Sequence, residues 1–219
     1  MLKKVVVFDN GFGGELFADY IEKEIPIIEP IRVIDWRNSA SYYGKPRAAQ
    51  EKALKALRPY INRSDIIIVS NQLVSLTSLK KFQRKFPKQK FTGLVPHLTY
   101  QSSKKRTLII TTKSTRGTIS YRFFKLKIHS RKKEFECDKW AQLIDEGEEM
   151  EQLVIDEMRP YKKFAPQQII LFCSHLMDIK PILRKIYGPT VAIIDGYKNT
   201  ITDVCRELGI RGGIGCKNK

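Results

Sequence analysis

Val5-Val6-Val7-Phe8-Asp9-Asn10-Gly11-Phe12-Gly13-Gly14 sets the fold class. Four apolar residues, three of them β-branched, read as a strand buried on both faces. Asp9 ends it. The glycines then open a turn into a helix running from about Glu15 to Glu24. A buried strand, a glycine turn and a helix are the first unit of an α/β protein. Position 16 is Leu, so the turn does not match the dinucleotide-binding fingerprint, and no Walker A sequence occurs.

The same alternation continues along the chain. Strands are predicted around Ile31–Asp35, Ile66–Val69 and Phe91–Val95, with helices opening at Pro46 and over Leu76–Phe86. A second series begins after Pro96. It has strands at Thr107–Ile110, Ile169–Phe172 and Val191–Ile194, with helices near Thr118–Leu126, Glu146–Met158, Pro181–Ile186 and Thr200–Leu208. Polar residues sit just past four of the strands: Asp9, Ser70-Asn71, Thr111-Thr112 and Cys173-Ser174-His175. Open parallel sheets bind ligands outside the carboxyl ends of their strands. A carboxylate, hydroxyls, a thiol and an imidazole are therefore expected at one cleft. Two segments read as copies of each other: Asp65-Ile-Ile-Ile-Val-Ser70-Asn71 and Gln168-Ile-Ile-Leu-Phe-Cys173-Ser174.

Composition excludes several classes. The 219 residues suffice for one large domain or two small ones, and 42% hydrophobic residues make a globular chain. The longest apolar runs fall far short of a membrane span, and the run after Lys3-Lys4 stops at Asp9, so no secretory signal is expected. Four cysteines (Cys137, Cys173, Cys205, Cys216) have neither C-x-x-C nor zinc spacing, which argues against a disulfide framework or a structural metal and for a reducing cytoplasm. The net charge is +17, and no acidic residue lies between Asp65 and Glu134. That gap holds 17 basic residues, all from Lys80 to Lys133, and removing them leaves 23 basic against 23 acidic. Such a block either meets a polyanion or keeps a surface solvated.

The motifs together resemble the aspartate/glutamate racemase superfamily, and glutamate racemase most closely. Phe8-Asp9-Asn10-Gly11-Phe12-Gly13-Gly14 is similar to the family's opening Phe-Asp-Ser-Gly-x-Gly-Gly, and Tyr42-Tyr43-Gly44 to its Pro-Tyr-Gly loop. Ser70-Asn71-Gln72 stands at its Cys-Asn-Thr motif. Thr111-Thr112-Lys113-Ser114-Thr115 with Tyr121 stands at Ala-Thr-x-x-Thr…Tyr. Cys137-Asp138 with Asp145-Glu146-Gly147 stands at Cys-Pro…Glu-x-Gly, and Phe172-Cys173-Ser174-His175 at Gly-Cys-Thr-His.

The resemblance implies two pseudo-symmetric α/β domains with mostly parallel sheets and an active site in the cleft between them. The expected division is 1–96 plus 193–219 for the first domain and 97–192 for the second. It also implies proton transfer at Cα of a small amino-acid or dicarboxylate substrate, glutamate or aspartate in type, with no cofactor and no metal. By position, Cys173 is the expected acid/base, with His175 and Asp145 tuning it and Asp9 assisting on the other face. Asn10, Tyr43, Gly44, Asn71, Gln72, Thr112, Thr115 and Ser174 are the expected substrate-binding residues. A homodimer is a further implication.

The main departure is Ser70, which stands where the family has its other catalytic cysteine. A serine hydroxyl is a far weaker acid than a thiol and rarely yields an alkoxide without a strong partner. The alternative is therefore a catalytically impaired or one-cysteine relative, decarboxylase-like or a pseudoenzyme. Its binding role would run through the Lys80–Lys133 block, with nucleic acid as the candidate partner and no membrane. Outward helix faces are the first reading for most of that block, with Lys113 and Arg116 near the cleft mouth.

Overall fold

A computed structural model describes residues 3–36 and 45–210. Two four-stranded sheets, both wholly parallel, form the frame. The first lobe runs β1 (Val5–Asp9), α1 (Phe12–Glu24), β2 (Ile31–Ile34), α2 (Pro46–Leu57), β3 (Ile66–Val69), α3 (Gln72–Lys85) and β4 (Phe91–Gly93). The second continues with α4 (Tyr100–Ser103), β5 (Thr107–Thr111), α5 (Lys113–Arg116), α6 (Ile119–Leu126), β6 (Lys132–Glu136), α7 (Asp138–Asp145) and α8 (Glu151–Met158). It ends with β7 (Gln168–Phe172), α9 (Lys180–Tyr187) and β8 (Ala192–Ile194), after which α10 (Tyr197–Leu208) packs back on the first lobe.

The strand orders are β2-β1-β3-β4 and β6-β5-β7-β8, the same order counted within each lobe. The apolar runs read in the sequence are the central strands β1, β3, β5 and β7, buried along their whole length. Period-two alternation divides each between two helical layers. Val5, Val7, Ile66 and Ile68 face Phe17 and Ile21 of α1 and Ile201 and Val204 of α10. Val6, Phe8, Ile67 and Val69 face Ala49, Ala53 and Leu57 of α2 and Val74 and Phe82 of α3. In the second lobe, Leu108, Ile110, Ile169 and Leu171 pack with Trp140 of α7, Val154 of α8 and Leu183 of α9, while Ile109, Ile170 and Phe172 meet Tyr121 and Phe124 of α6.

Two local expectations change. The helix expected over Glu146–Met158 is α8 alone, and the residues before it form α7, separated by Gly147 at φ 75°. β6 was not expected, because Lys132-Lys133-Glu134-Phe135-Glu136 is a partly exposed edge strand with a charged face. The pairing of Ile193 with Ile169 and Ile194 with Ile170 puts β8 in the second sheet, so a division at 192/193 cuts a paired strand. Since α10 packs on the first sheet, we place the domain division after β8.

Candidate active site

The site is built where the carboxyl ends of both sheets face each other. β7 ends at Phe172, and the chain turns through Cys173 into a 3-10 turn, Ser174–Met177. That tight turn points Cys173 and His175 the same way. Cys173 Sγ lies 3.4 Å from His175 Nδ1, and His175 Nε2 lies 2.9 Å from Asp145 Oδ1 at the end of α7. The carboxylate is itself fixed from the other lobe: the backbone N–H of Phe12, at the start of α1, donates to Asp145 Oδ1 at 2.8 Å. A helix N-terminus is a favourable place for an anion.

The glycines of the opening motif make this approach sterically possible. A Cβ on Gly11 would lie 2.7 Å from Asp145 Oδ1 and 2.8 Å from His175 Nε2. A Cβ on Gly13 would collide with the side chain of Ser174. The motif thus lets the first lobe touch the Cys-Ser-His turn of the second. Tyr197 at the start of α10 adds a clasp, its buried hydroxyl donating to Ser174 O at 3.1 Å.

The electrostatics of the turn favour an ionised sulfur. Cys173 is lowered to about 5, first by a hydrogen bond from the Cys137 thiol, against burial, and further by the charge and hydrogen bond of His175. Cys137 is pushed the other way, up, by its complete burial and by the thiolate beside it. Burial works against the His175 imidazolium, but Cys173 and Asp145 overcome it, and its pKa is raised. The result is a thiolate–imidazolium–carboxylate chain, with one thiol protonated to hold the other ionised. Among the described cysteines, Cys137 and Cys173 are free and Cys205 is disulfide-bonded, contrary to the expectation for that residue.

The first lobe presents different chemistry. Ser70 is completely buried, and its hydroxyl donates to the carbonyl of Phe8 at 2.8 Å. Asp9 is also completely buried. Its Oδ1 accepts from the Asn10 N–H at 2.8 Å, and its Oδ2 has no hydrogen-bond partner among the described residues. Burial raises its pKa to about 6, opposed first by the positive charge of His175. Asn71 caps α3, its Oδ1 accepting from Val74 N at 2.9 Å while its Nδ2 reaches Asn10 Oδ1.

A cavity of about 40 Å³ lies between the lobes. The first lobe contributes Asn10, Asn71, Gln72 and Leu73 to its wall. The second contributes Thr112, Thr115, Cys173, Ser174 and His175, among others. Most of the sequence-selected residues are thus brought together. Asp9, Ser70 and Asp145 stand behind the wall rather than on it. Tyr43 and Gly44 lie outside the described residues. Thr112 and Thr115 hold each other, hydroxyl to hydroxyl at 3.0 Å, at the start of α5. Gln72 Oε1 is buried with no partner among the described residues. Lys113 is exposed and Arg116 is paired to Glu136 at 2.8 Å. Sequence reasoning missed Cys137 and Tyr197. Cys137 gave no spacing signal, and Tyr197 fell before the expected start of the last helix.

No family model matches the chain. Its relatives among characterised proteins are consistent, however. It is 24% identical to glutamate racemase of Clostridium perfringens over 217 residues, covering 92% of this chain and 81% of that protein. It is 22% identical to glutamate racemase of a Carnobacterium species over 220 residues, 95% and 82% of the two chains. Escherichia coli glutamate racemase, solved with L-glutamate and the activator UDP-MurNAc-ala, superposes with a TM-score of 0.84. That match covers 95% of this chain and 83% of that one, at 17% identity. Two parallel lobes with facing strand ends define the class: this is the racemase type of two-domain α/β fold. Within that class the chain is a homologue of the glutamate racemases.

Proposed function

We propose that the protein is a cofactor-independent amino-acid racemase-type isomerase of the glutamate or aspartate kind, with Cys173 as acid/base at Cα. The chain from Cys173 through His175 to Asp145 carries this reading. An α-proton is very weakly acidic, so its removal needs a reactive base held in a dry cleft. A buried thiolate made available near neutrality meets that need. The His175 imidazolium keeps the sulfur ionised, and Asp145 fixes the ring. Proton removal turns Cys173 into a neutral thiol. Inversion follows when the carbanion is protonated on its opposite face from the first-lobe side, by cleft water backed by Asp9, whose pKa is raised to about 6.

The polar wall supplies the binding groups. The unpartnered Gln72 Oε1 is an acceptor suited to the substrate ammonium group. The Thr115, Ser174 and Asn71 side chains supply polar contacts for the carboxylate. Gln and Asn at positions 72 and 10 replace the smaller Thr and Ser of the family motif, and the cavity is narrow. The substrate is correspondingly compact, and the lobes open to admit it.

A second reading is favoured by the hydrogen bond of Ser70 to Phe8 O and by a first-lobe wall of carboxamides and Leu73. No acid/base group of that lobe touches the cavity among the described residues. Asp9, raised to about 6 by burial, is a titratable group of that lobe that interacts with Ser70. In this reading the protein is a one-faced enzyme, in which Cys173 removes and returns the proton on the same face with retention of configuration. Incubating L- and D-glutamate and L- and D-aspartate with the protein in heavy water separates these. Exchange with racemisation supports the first reading, and exchange with retention supports the second. Absence of Cα exchange with all four substrates and with a wider amino-acid panel overturns both.

A further inference from the structure

The acid-free stretch contains a surface that the cleft does not use. Helix α6 is amphipathic twice over. Its inner side buries Tyr121 and Phe124 against the second sheet, and Lys125 on that side is paired to Glu134 at 2.6 Å. Its outer side is apolar as well. Ile119 is 71% exposed, Phe123 64% and Leu126 68%. At the helical repeat these three fall within a sector of about 60°. Arg122 and Lys127 flank that sector on either side, both exposed and neither in an ion pair among the described residues. The result is an apolar ridge with a free cation along each edge.

We infer that α6 is a docking surface for an anionic lipid bilayer, with Ile119, Phe123 and Leu126 entering the headgroup–acyl boundary and Arg122 and Lys127 meeting lipid phosphates. Charge selects this occupant. The surrounding sequence from Ile66 to Lys133 has no acidic residue, so a two-fold contact with a second copy would set these cations against their own kind. Shape selects it as well. Side chains this exposed stand out from the surface rather than line a groove, and a ridge suits a deformable lipid surface better than a peptide that needs a groove. Nucleic acid fits poorly, since Ile119 and Leu126 have no face for stacking on bases. The absence of a membrane-spanning helix among the described residues is compatible, because an interfacial helix lies on the bilayer and does not cross it.

Vesicle flotation with the full chain tests this. Vesicles of phosphatidylcholine alone are compared with vesicles of phosphatidylcholine mixed with phosphatidylglycerol. The wild type is expected to float with the anionic vesicles and to stay behind with the neutral ones. Phe123→Ser is expected to weaken partitioning on the order of tenfold, as removal of one inserted apolar side chain requires. Arg122→Glu and Lys127→Glu are each expected to weaken it by about fivefold or more. Both sites are exposed, so the thermal melt of each variant should match the wild type. Failure of the wild type to bind anionic vesicles overturns the inference. So does binding that Phe123→Ser leaves unchanged, which would mean charge attraction alone. A wild-type dimer in sedimentation that Phe123→Ser dissociates would assign the ridge to a second copy instead.

Discussion

Two corners of the molecule, Ser70 and Cys173, occupy equivalent places in equivalent sheets. β3 and β7 each lie third in their sheet, each is fully buried, and each ends in a residue type able to carry a proton. The chain leaves the two strands differently. After Ser70 it enters α3 directly, capped by Asn71, and the Ser70 hydroxyl settles on the backbone of the neighbouring strand. After Cys173 it makes a 3-10 turn that folds His175 back beside the sulfur and onto Asp145. Equal scaffolding therefore does not make equal chemistry. A polar side chain at a strand end becomes reactive when a second residue is turned to face it, and only one corner has that partner.

Removing the sulfur tests the reactive corner and should cost the most. Cys173→Ala should lower Cα proton exchange by about 10³-fold, the range associated with loss of a general acid/base. The imidazole–carboxylate pair survives this change, so the loss reports on the sulfur itself. Deuterium incorporation measured by NMR checks it, and an activity within tenfold of the wild type would remove Cys173 from the chemistry.

Ser70→Cys probes the quiet corner. It restores a thiol at the equivalent strand end while leaving the frame intact. Racemisation is expected to rise by about tenfold over the wild type, with exchange at the Cys173 face little changed. The readout is the change in optical rotation set against exchange rate. An unchanged ratio would show that the buried Ser70 position, and not its atom type, withholds it from the substrate.

The frame and the reactive corner were legible in the sequence to different depths. Strands β1, β3, β5 and β7 were readable because burial on both faces demands runs such as Val5–Phe8 and Ile66–Val69. Cys173-Ser174-His175 was readable because two functional side chains, two positions apart, come straight after such a run. The partnership of Asp145 with His175 came from a family resemblance, since no local pattern ties the end of α7 to the turn after β7. Cys137 was placed by the resemblance, but its role beside Cys173 was not legible. A buried cysteine at a helix start looks inert until tertiary packing sets it against another sulfur. Glycines 11 and 13 were visible, but their reason, the closeness of Asp145, His175 and Ser174, exists only in the fold.

The two corners should also respond to pH in opposite directions. Asp9 is raised from 3.8 to about 6 by burial, so its protonated form is favoured in the folded state. Its stabilising contribution is complete below about pH 4 and is lost as pH rises through about 6. The upward shift corresponds to about 3 kcal/mol. Cys173 is lowered, so its contribution is present above the usual thiol range and is lost as pH falls towards about 5. Urea midpoints measured from pH 4 to pH 7 in the Cys173→Ala background isolate the first corner. There, Asp9→Asn should flatten a decline in stability that the unsubstituted Asp9 shows. Identical profiles with Asp9 and with Asn would mean that Asp9 is solvated and that the corners do not differ in this way.

A still smaller change is expected at the bond that ties the corners together. Tyr197 belongs to α10, which packs on the first sheet, yet its hydroxyl donates to Ser174 O beside Cys173. It also stacks on Tyr20 with ring centroids 5.3 Å apart, so the ring is held independently of the hydroxyl. Tyr197→Phe therefore removes a hydrogen bond and leaves the packing in place. A buried carbonyl losing a donor costs about 1 kcal/mol, a modest fall in the thermal midpoint. If the hydroxyl serves only to hold the lobes together, exchange activity falls no more than stability does. If it also fixes the turn that sets Cys173 against His175, the variant loses thiolate character, and the pH midpoint for alkylation of Cys173 moves upward from about 5. An upward shift would extend the partnership that makes this corner reactive across the cleft to α10, and an unmoved midpoint would confine it to His175, Asp145 and Cys137.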